Sequence, residues 1–266
     1  MTLCIAWRDN DGVHFSSDSR ITFAPNSYAD VGIKVLSLPY QILAPLDHIE
    51  NNFRNITFSG ELGMCFAGSA VNSLIIKEAL AEILKTLQHI PDHTDTSMQG
   101  IADFIFVAYR EISRKVCETS IGKNGRAEML IGGFCHEKKM VRVFCFSTDN
   151  FNNHTCQEVL QGTDHILLGK GSSHAQKEMP MTPTLHDYFN ILKTVIADTN
   201  VPSVGGNIQY GQFKDNRFIV HGVYDFGPPV HYWRSVLDLN SEDFMNNASG
   251  FIPGVPYFDP ENTIRG

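Results

Sequence analysis

Thr2, Asp18 and Lys34 are the residues whose types and spacing could do the most chemistry in this chain. An aliphatic hydroxyl is a weak nucleophile at neutral pH and needs a base within hydrogen-bond reach. Thr2 directly follows Met1, and threonine is small enough for the methionine to be removed. Removal would leave a hydroxyl and a free α-amine on one residue. An α-amine has an ordinary pKa of about 7.7 to 8.0, against about 10.4 for a lysine amine. It can therefore take the hydroxyl proton, directly or through a water. Lys34 lies in the apolar run Ile33-Lys34-Val35-Leu36, where an unpaired charge is costly. A paired ammonium there would lower the pKa of the Thr2 amine and stabilise an ionised hydroxyl. Asp18 is the expected partner, holding Lys34 in place.

The elements that must position these groups follow from apolar patterning. Residues 3–7 and 13–17 read as short strands joined by the turn Asn10-Asp11-Gly12. Antiparallel register about that turn sets residue 18 opposite residues 3 to 5, so Asp18 falls beside the chain start. Residues 33–38 read as a third strand carrying Lys34, and 55–59 with 62–67 as a second hairpin around Gly60-Glu61. Ser69 opens a helix with Ile76, Leu80, Ile83, Leu84 and Leu87 on one face, and a second helix carries Ile101, Phe104, Ile105, Ala108 and Ile112. Strands follow near 129–135, 140–147, 156–160 and 165–168, then a helix over 183–199 and strands near 207–210 and 217–223. Runs apolar on both faces predict sheets buried on both sides, which two packed sheets with outer helices satisfy. Residues 39–54 read as an inserted surface loop and the Pro-, Gly- and Asn-rich end as an irregular tail. No linker divides the chain, so the expectation is a single domain over 1–266 with a core of about 2–222 and an extension over 223–266.

Bulk properties narrow the function. The 21 Lys and Arg against 29 Asp and Glu give a formal charge of −8, which argues against a nucleic-acid binder. No basic segment followed by a long apolar stretch opens the chain, and no 18-residue apolar run exists. A membrane partner is not expected and the expected location is cytoplasmic. The six cysteines show no C-x-x-C spacing and no histidine pair at zinc-ligand spacing, and they read as reduced, mostly buried thiols.

The motifs in order, Thr2, Ser17-Asp18-Ser19-Arg20, Gly32-Ile33-Lys34, Phe66-Ala67-Gly68-Ser69, Ile131-Gly132-Gly133, Gly169-Lys170-Gly171-Ser172 and Asp198 through Ser203-Val204-Gly205-Gly206, together resemble proteasome β-subunits and their bacterial relatives, the N-terminal-nucleophile hydrolases. The resemblance covers about residues 2 to 222. It implies an α+β fold, a four-layer αββα sandwich of two stacked antiparallel sheets flanked by helices. It implies a threonine-type peptidase in which Thr2 is the nucleophile, Lys34 and Asp18 tune it, Arg20 braces the site and the Gly68 backbone N–H receives the oxyanion. It also implies a substrate pocket at Ile21, Gly32, Phe66 and Ala70, apolar and so suited to an uncharged side chain, with Phe66 limiting its depth. No metal and no organic cofactor are implied. The implied partners are a peptide or unfolded protein as substrate, further copies in a homo-oligomeric ring, and a separate ATPase unfoldase, since no ATPase motif occurs here.

Two departures from the family pattern bear on the supporting groups. Lys170 stands where the family has a serine between two glycines, with Ser172 two places later. Val204 separates Ser203 from its glycines, and Asp198 lies five residues before Ser203. Two alternatives therefore stay open on the same fold: a catalytically inactive scaffold or assembly subunit, and a small-molecule amidase with the long loop and tail as a lid.

Overall fold

The computed structural model describes residues 2–24, 26–45, 55–93, 95–119, 122–224 and the short pieces 231–233, 237–238, 246, 254 and 256–260. Strands β1 (Cys4–Asp9) and β2 (Gly12–Ser17) form the expected hairpin, with Cys4 opposite Ser17. They sit in an eight-stranded sheet of order β11-β1-β2-β12-β13-β14-β15, where β11 is His165–Leu168, β12 Gln209–Lys214, β13 Arg217–Tyr224, β14 His231–Trp233 and β15 Leu237–Asp238. Strand β16 (Tyr257–Phe258) adds parallel to β13. The second sheet has six strands in the order β10-β9-β8-β6-β5-β7: His154–Val159, Met140–Thr148, Ala127–Cys135, Ile56–Gly68, Val35–Leu43 and Leu87–Gln88. A separate hairpin of β3 (Ile21–Ala24) and β4 (Ser27–Ala29) follows Asp18. All pairings within the sheets are antiparallel except β5 with β7 and β13 with β16.

Strand alternation explains the layering. In β1, Cys4 and Ala6 face the core between the sheets, whereas Ile5 and Trp7 face the helices α3 (Ser172–Glu178) and α4 (Leu185–Ala197). In β6, Cys65 and Ala67 face the inter-sheet core, whereas Leu62, Met64 and Phe66 lie under α1 (Ala70–Ile83) and α2 (Met98–Glu118). Three apolar layers thus join four structural ones, the αββα sandwich expected. Each fully buried Leu, Ile or Phe contributes about 1.5–3 kcal/mol, so the stack holds both sheets rigidly.

Two expectations fail in the second sheet. Gly60-Glu61 does not turn: β6 runs unbroken from Ile56 to Gly68 and pairs with β5 from Ile56 to Cys65. Gly60 is there because a side chain would meet the Tyr40 ring at 2.7 Å. Residues 39–43 are correspondingly strand and not loop, while 46–54 lie outside the described residues. Pro39 is tolerated because β7 pairs β5 only at Ile42 and Leu43, leaving the proline on an unpaired edge. The extension beyond 223 is not wholly irregular, since β14, β15 and β16 extend the first sheet. On α1 the expected apolar face ends early. Leu84 begins a 3-10 turn, Leu87 belongs to β7, and Ile83 is exposed, as is Phe104 on α2. All six cysteines are free; Cys4, Cys65 and Cys135 are buried and the others half-buried.

One buried histidine makes stability depend on acid. His221 on β13 packs against Tyr210 and Phe258, and neither ring nitrogen finds a hydrogen-bond partner among the described residues. Burial pushes its pKa down from 6.5 to about 4, with His14 and Lys214 acting in the same direction. The unfolded chain takes the proton more readily, so this contribution is whole above pH 6.5 and is lost as pH falls toward 4. The melting temperature should fall across that window, and His221→Phe should flatten this part of the profile. An unchanged slope in the variant would contradict the assignment.

Candidate active site

The hairpin register brings Asp18 to the chain start. Its backbone N–H donates to the Leu3 carbonyl at 3.3 Å. Its carboxylate, fully buried, accepts three backbone N–H groups: Leu3 at 3.1 Å, Arg20 at 3.1 Å and Gly205 at 3.0 Å. Lys34 immediately precedes β5. The Gln209 side chain accepts the backbone N–H of Lys34 at 2.8 Å and of Val35 at 3.2 Å, and donates to the Gly32 carbonyl. One side chain thus satisfies the backbone where the ladder has not begun, and Lys34 is turned inward. Its Nζ donates to Asp18 Oδ1 at 2.9 Å and to Thr2 Oγ1 at 2.7 Å. Lys34 is 0% exposed and Thr2 2%. A buried ammonium therefore bridges a carboxylate and a threonine hydroxyl, an arrangement that favours an ionised Oγ1.

The Thr2 main chain is held from the other side. The Gly171 N–H donates to the Thr2 carbonyl at 3.3 Å. Gly169 has φ +86°, and a Cβ there would overlap the Thr2 carbonyl oxygen, so only glycine fits. Glu128 Oε2 accepts the Gly169 N–H at 3.2 Å. The turn thus acts through its backbone, and Lys170 points from it into solvent.

Arg20 works at one remove. It forms a two-pronged pair with Asp30 at 2.7 and 2.8 Å, donates to the Pro202 carbonyl at 3.1 Å and lies 3.8 Å over the Tyr28 ring. Asp30 raises the guanidinium pKa above its ordinary value. A Cβ at Gly205 would overlap this guanidinium, so glycine lets the 202–206 loop close on Arg20 while presenting an N–H to Asp18.

Gly68 ends β6 opposite Ala127, with φ +87°. A Cβ would lie 2.6 Å from the Arg126 carbonyl oxygen. The end of β6 adjoins the chain start, since Cys4 Sγ donates to the Phe66 carbonyl at 2.9 Å and a Cβ on Gly169 would lie 3.1 Å from Ala67 Cβ. Of the expected pocket residues, Ile21 folds directly over Gly32, whose Cβ would lie 2.5 Å from Ile21 Cδ1. Ala70 is half-buried at the start of α1. Phe66 departs from the expectation: strand alternation turns it under the helices, 2% exposed, so it offers no open wall.

Ser172 is half-buried at the first residue of α3 and Ser203 is 8% exposed in the Arg20-braced loop. Asp198 is not drawn to Thr2; its carboxylate closes a local turn with Asn200 at 2.8 and 2.9 Å. Gln209, Asp30 and Glu128 are the supporting residues the sequence reading missed. Surface depressions on α4 and beside Asp92–Ser97 do not include Thr2. Among the described residues, no group of three or more His, Cys, Asp or Glu could hold a metal ion, and no helix is long and apolar enough to cross a membrane.

No family model and no curated protein matches the chain. Solved structures do match. The structure described as Anbu (ancestral beta-subunit) from Yersinia bercovieri superposes with a TM-score of 0.54 at 17% identity, over 82% of this chain and 86% of that one. An Anbu (Gly-1) mutant from Hyphomicrobium sp. strain MC1 gives 0.52 at 16% identity, over 92% and 91%. The helical assembly of the Anbu complex from Pseudomonas aeruginosa gives 0.52 at 14% identity, over 92% and 90%. The chain thus shares the α+β, proteasome-like fold of these structures.

The Lys34–Asp18 pair sets unequal costs for its loss. Asp18→Ala strips the buried ammonium of its counter-charge and leaves it, among the described residues, the Thr2 hydroxyl. Lys34→Met leaves a carboxylate still served by three backbone donors. Breaking a buried pair costs about 3–5 kcal/mol, so urea unfolding should put Asp18→Ala near the upper end and Lys34→Met below it. The reverse order would show that the backbone donors do not stabilise the anion.

Proposed function

We propose that the protein is a threonine-type N-terminal-nucleophile hydrolase that cleaves peptide bonds after Met1 is removed. The observation that carries this reading is Lys34 Nζ at 2.7 Å from Thr2 Oγ1 and 2.9 Å from Asp18. While Met1 is attached, the Thr2 nitrogen belongs to a peptide bond and is no base. Once it is freed, the amine takes the Oγ1 proton as the oxygen attacks the substrate carbonyl carbon. The Gly68 backbone is the candidate oxyanion donor. Collapse breaks the C–N bond, and the ammonium returns its proton to the leaving amine. Water then attacks the ester, giving one proton to the amine, and Thr2 Oγ1 recovers its hydrogen.

Ile21 folded over Gly32 supports a preference for uncharged side chains on the acyl side. The exposed apolar residues Val71, Leu74 and Ile75 on α1 support assembly with further copies into a homo-oligomer that shelters the site, with a ring and a separate ATPase as the fuller form of this reading. The 2% exposure of Thr2 favours a second reading, a non-catalytic subunit of the same fold.

Intact mass of protein from its native host separates the two readings. Loss of one methionine residue is expected of the enzyme, whereas full retention supports the inactive subunit. Thr2→Ala should abolish turnover of fluorogenic peptides with an unchanged circular-dichroism spectrum. Persistent turnover in that variant would refute Thr2 as nucleophile. A peptide library should show uncharged residues preferred on the acyl side, and a strong preference for acidic or basic ones would reject the pocket assignment.

A further inference from the structure

Three consecutive carbonyls beside Gly68, those of Gly125, Arg126 and Ala127, are each gripped from the helix layer. Asn72 Nδ2 donates to the first at 2.7 Å, the Ser69 N–H to the second at 2.7 Å and the Tyr109 hydroxyl to the third at 2.6 Å. The middle carbonyl is the one a Gly68 Cβ would strike, and Ala127 is the strand partner of Gly68. Asn72 and Tyr109 are both fully buried. The position of the Gly68 turn is therefore set by groups on α1 and α2 that are separate from the Thr2 cluster.

Proton accounting gives the contacts one direction. Tyr109 has one hydroxyl proton, spent on the Ala127 carbonyl, so the Thr148 hydroxyl at 3.0 Å must donate to Tyr109. The Thr148 proton is then spent, so His154 Nδ1 at 2.9 Å must carry the proton it gives to Thr148. From the other side, Asn72 Nδ2 also donates to Ser113 Oγ at 3.1 Å on α2, which ties α1 to α2 beside the same strand. The chain from His154 through Thr148 and Tyr109 donates toward one acceptor, the Ala127 carbonyl, while Asn72 donates to the Gly125 carbonyl.

We propose that Tyr109, seconded by Asn72, is a positioning residue for the Gly68 backbone in hydrolysis, a proposal that rests on the Thr2 reading above. It acts by fixing the strand at 125–127 against which Gly68 is seated. Tyr109 touches no reacting atom, and its hydroxyl acts through a backbone carbonyl.

The test compares Tyr109→Phe, which keeps the ring and loses the donor to Ala127, with Thr148→Val, which removes the other hydroxyl partner and leaves that donor. For a fluorogenic peptide, Tyr109→Phe should lower kcat by about tenfold with KM unchanged, since small misplacement of a transition-state donor is felt mainly in kcat. Thr148→Val should leave kcat within about twofold of the parent. In glycine-labelled protein the Gly68 amide resonance should move in Tyr109→Phe and stay in Thr148→Val. An equal loss in both variants, an unchanged kcat in Tyr109→Phe or an unmoved Gly68 amide overturns the proposal. Should Tyr109→Phe not fold, Asn72→Ala supplies the same kinetic and amide readouts. Activity in Thr2→Ala would refute the nucleophile alone, while the amide shift judges the clamp independently.

Discussion

A lysine ammonium with no exposure to solvent is the constraint to which the rest of the site answers. Lys34 cannot shed its charge to water, so its partners must be supplied by the fold. Asp18 is that partner, and its second oxygen accepts the backbone N–H groups of Arg20 and Gly205. Gly205 can reach Asp18 only because the 202–206 loop lacks a side chain where Arg20 passes. Arg20 is in turn fixed by Asp30. The chain of dependence runs from a surface ion pair to a buried one, and it ends at the Thr2 hydroxyl.

The four layers make this possible because both ends of the cluster lie where sheets meet. Thr2 and Asp18 belong to the first sheet's hairpin, while Lys34 and Gly68 sit at the ends of β5 and β6 in the second. Neither sheet alone carries the threonine hydroxyl, the buried cation and the adjoining backbone turn. Stacking them through Cys4, Ala67 and their neighbours brings Lys34 within hydrogen-bond range of Thr2 and Asp18. Burial pushes the Cys65 thiol pKa well up, so the cysteine packed at this junction stays a protonated, unreactive filler.

The parts of this arrangement set by local rules were legible in the sequence. A two-residue hairpin turn places Asp18 opposite Leu3 whatever the tertiary structure, and a lysine in an apolar strand demands a partner. The parts set by long-range contact were not. Gln209 reads as an ordinary strand residue, and only the folded chain brings it across the Gly32–Val35 backbone. Glu128 was hidden for the same reason. Gly60 imitated a turn because close approach of the Tyr40 ring and turn chemistry both select glycine. Phe66 was misassigned because motif spacing locates a residue along β6, whereas its face follows from strand alternation.

Buried ion pairs are weak evidence for stability, since desolvation offsets most of their attraction and apolar residues of like volume often serve as well. Between Val35 and Leu36 on one side and Leu3 and Cys4 on the other, an apolar pair would have packed more simply. Lys34 also spends a donor on the Thr2 hydroxyl instead of a second carboxylate oxygen, which is a poor use of an ammonium if holding the fold were its task. The same holds for the Gly169–Gly171 turn, whose backbone grips one carbonyl at the cost of two glycines' conformational freedom. Devices that each lower stability converge on one residue, and strained or unfavourable groups gather where chemistry requires them. Their convergence on Thr2 is the physical argument behind the proposal that this residue is the nucleophile.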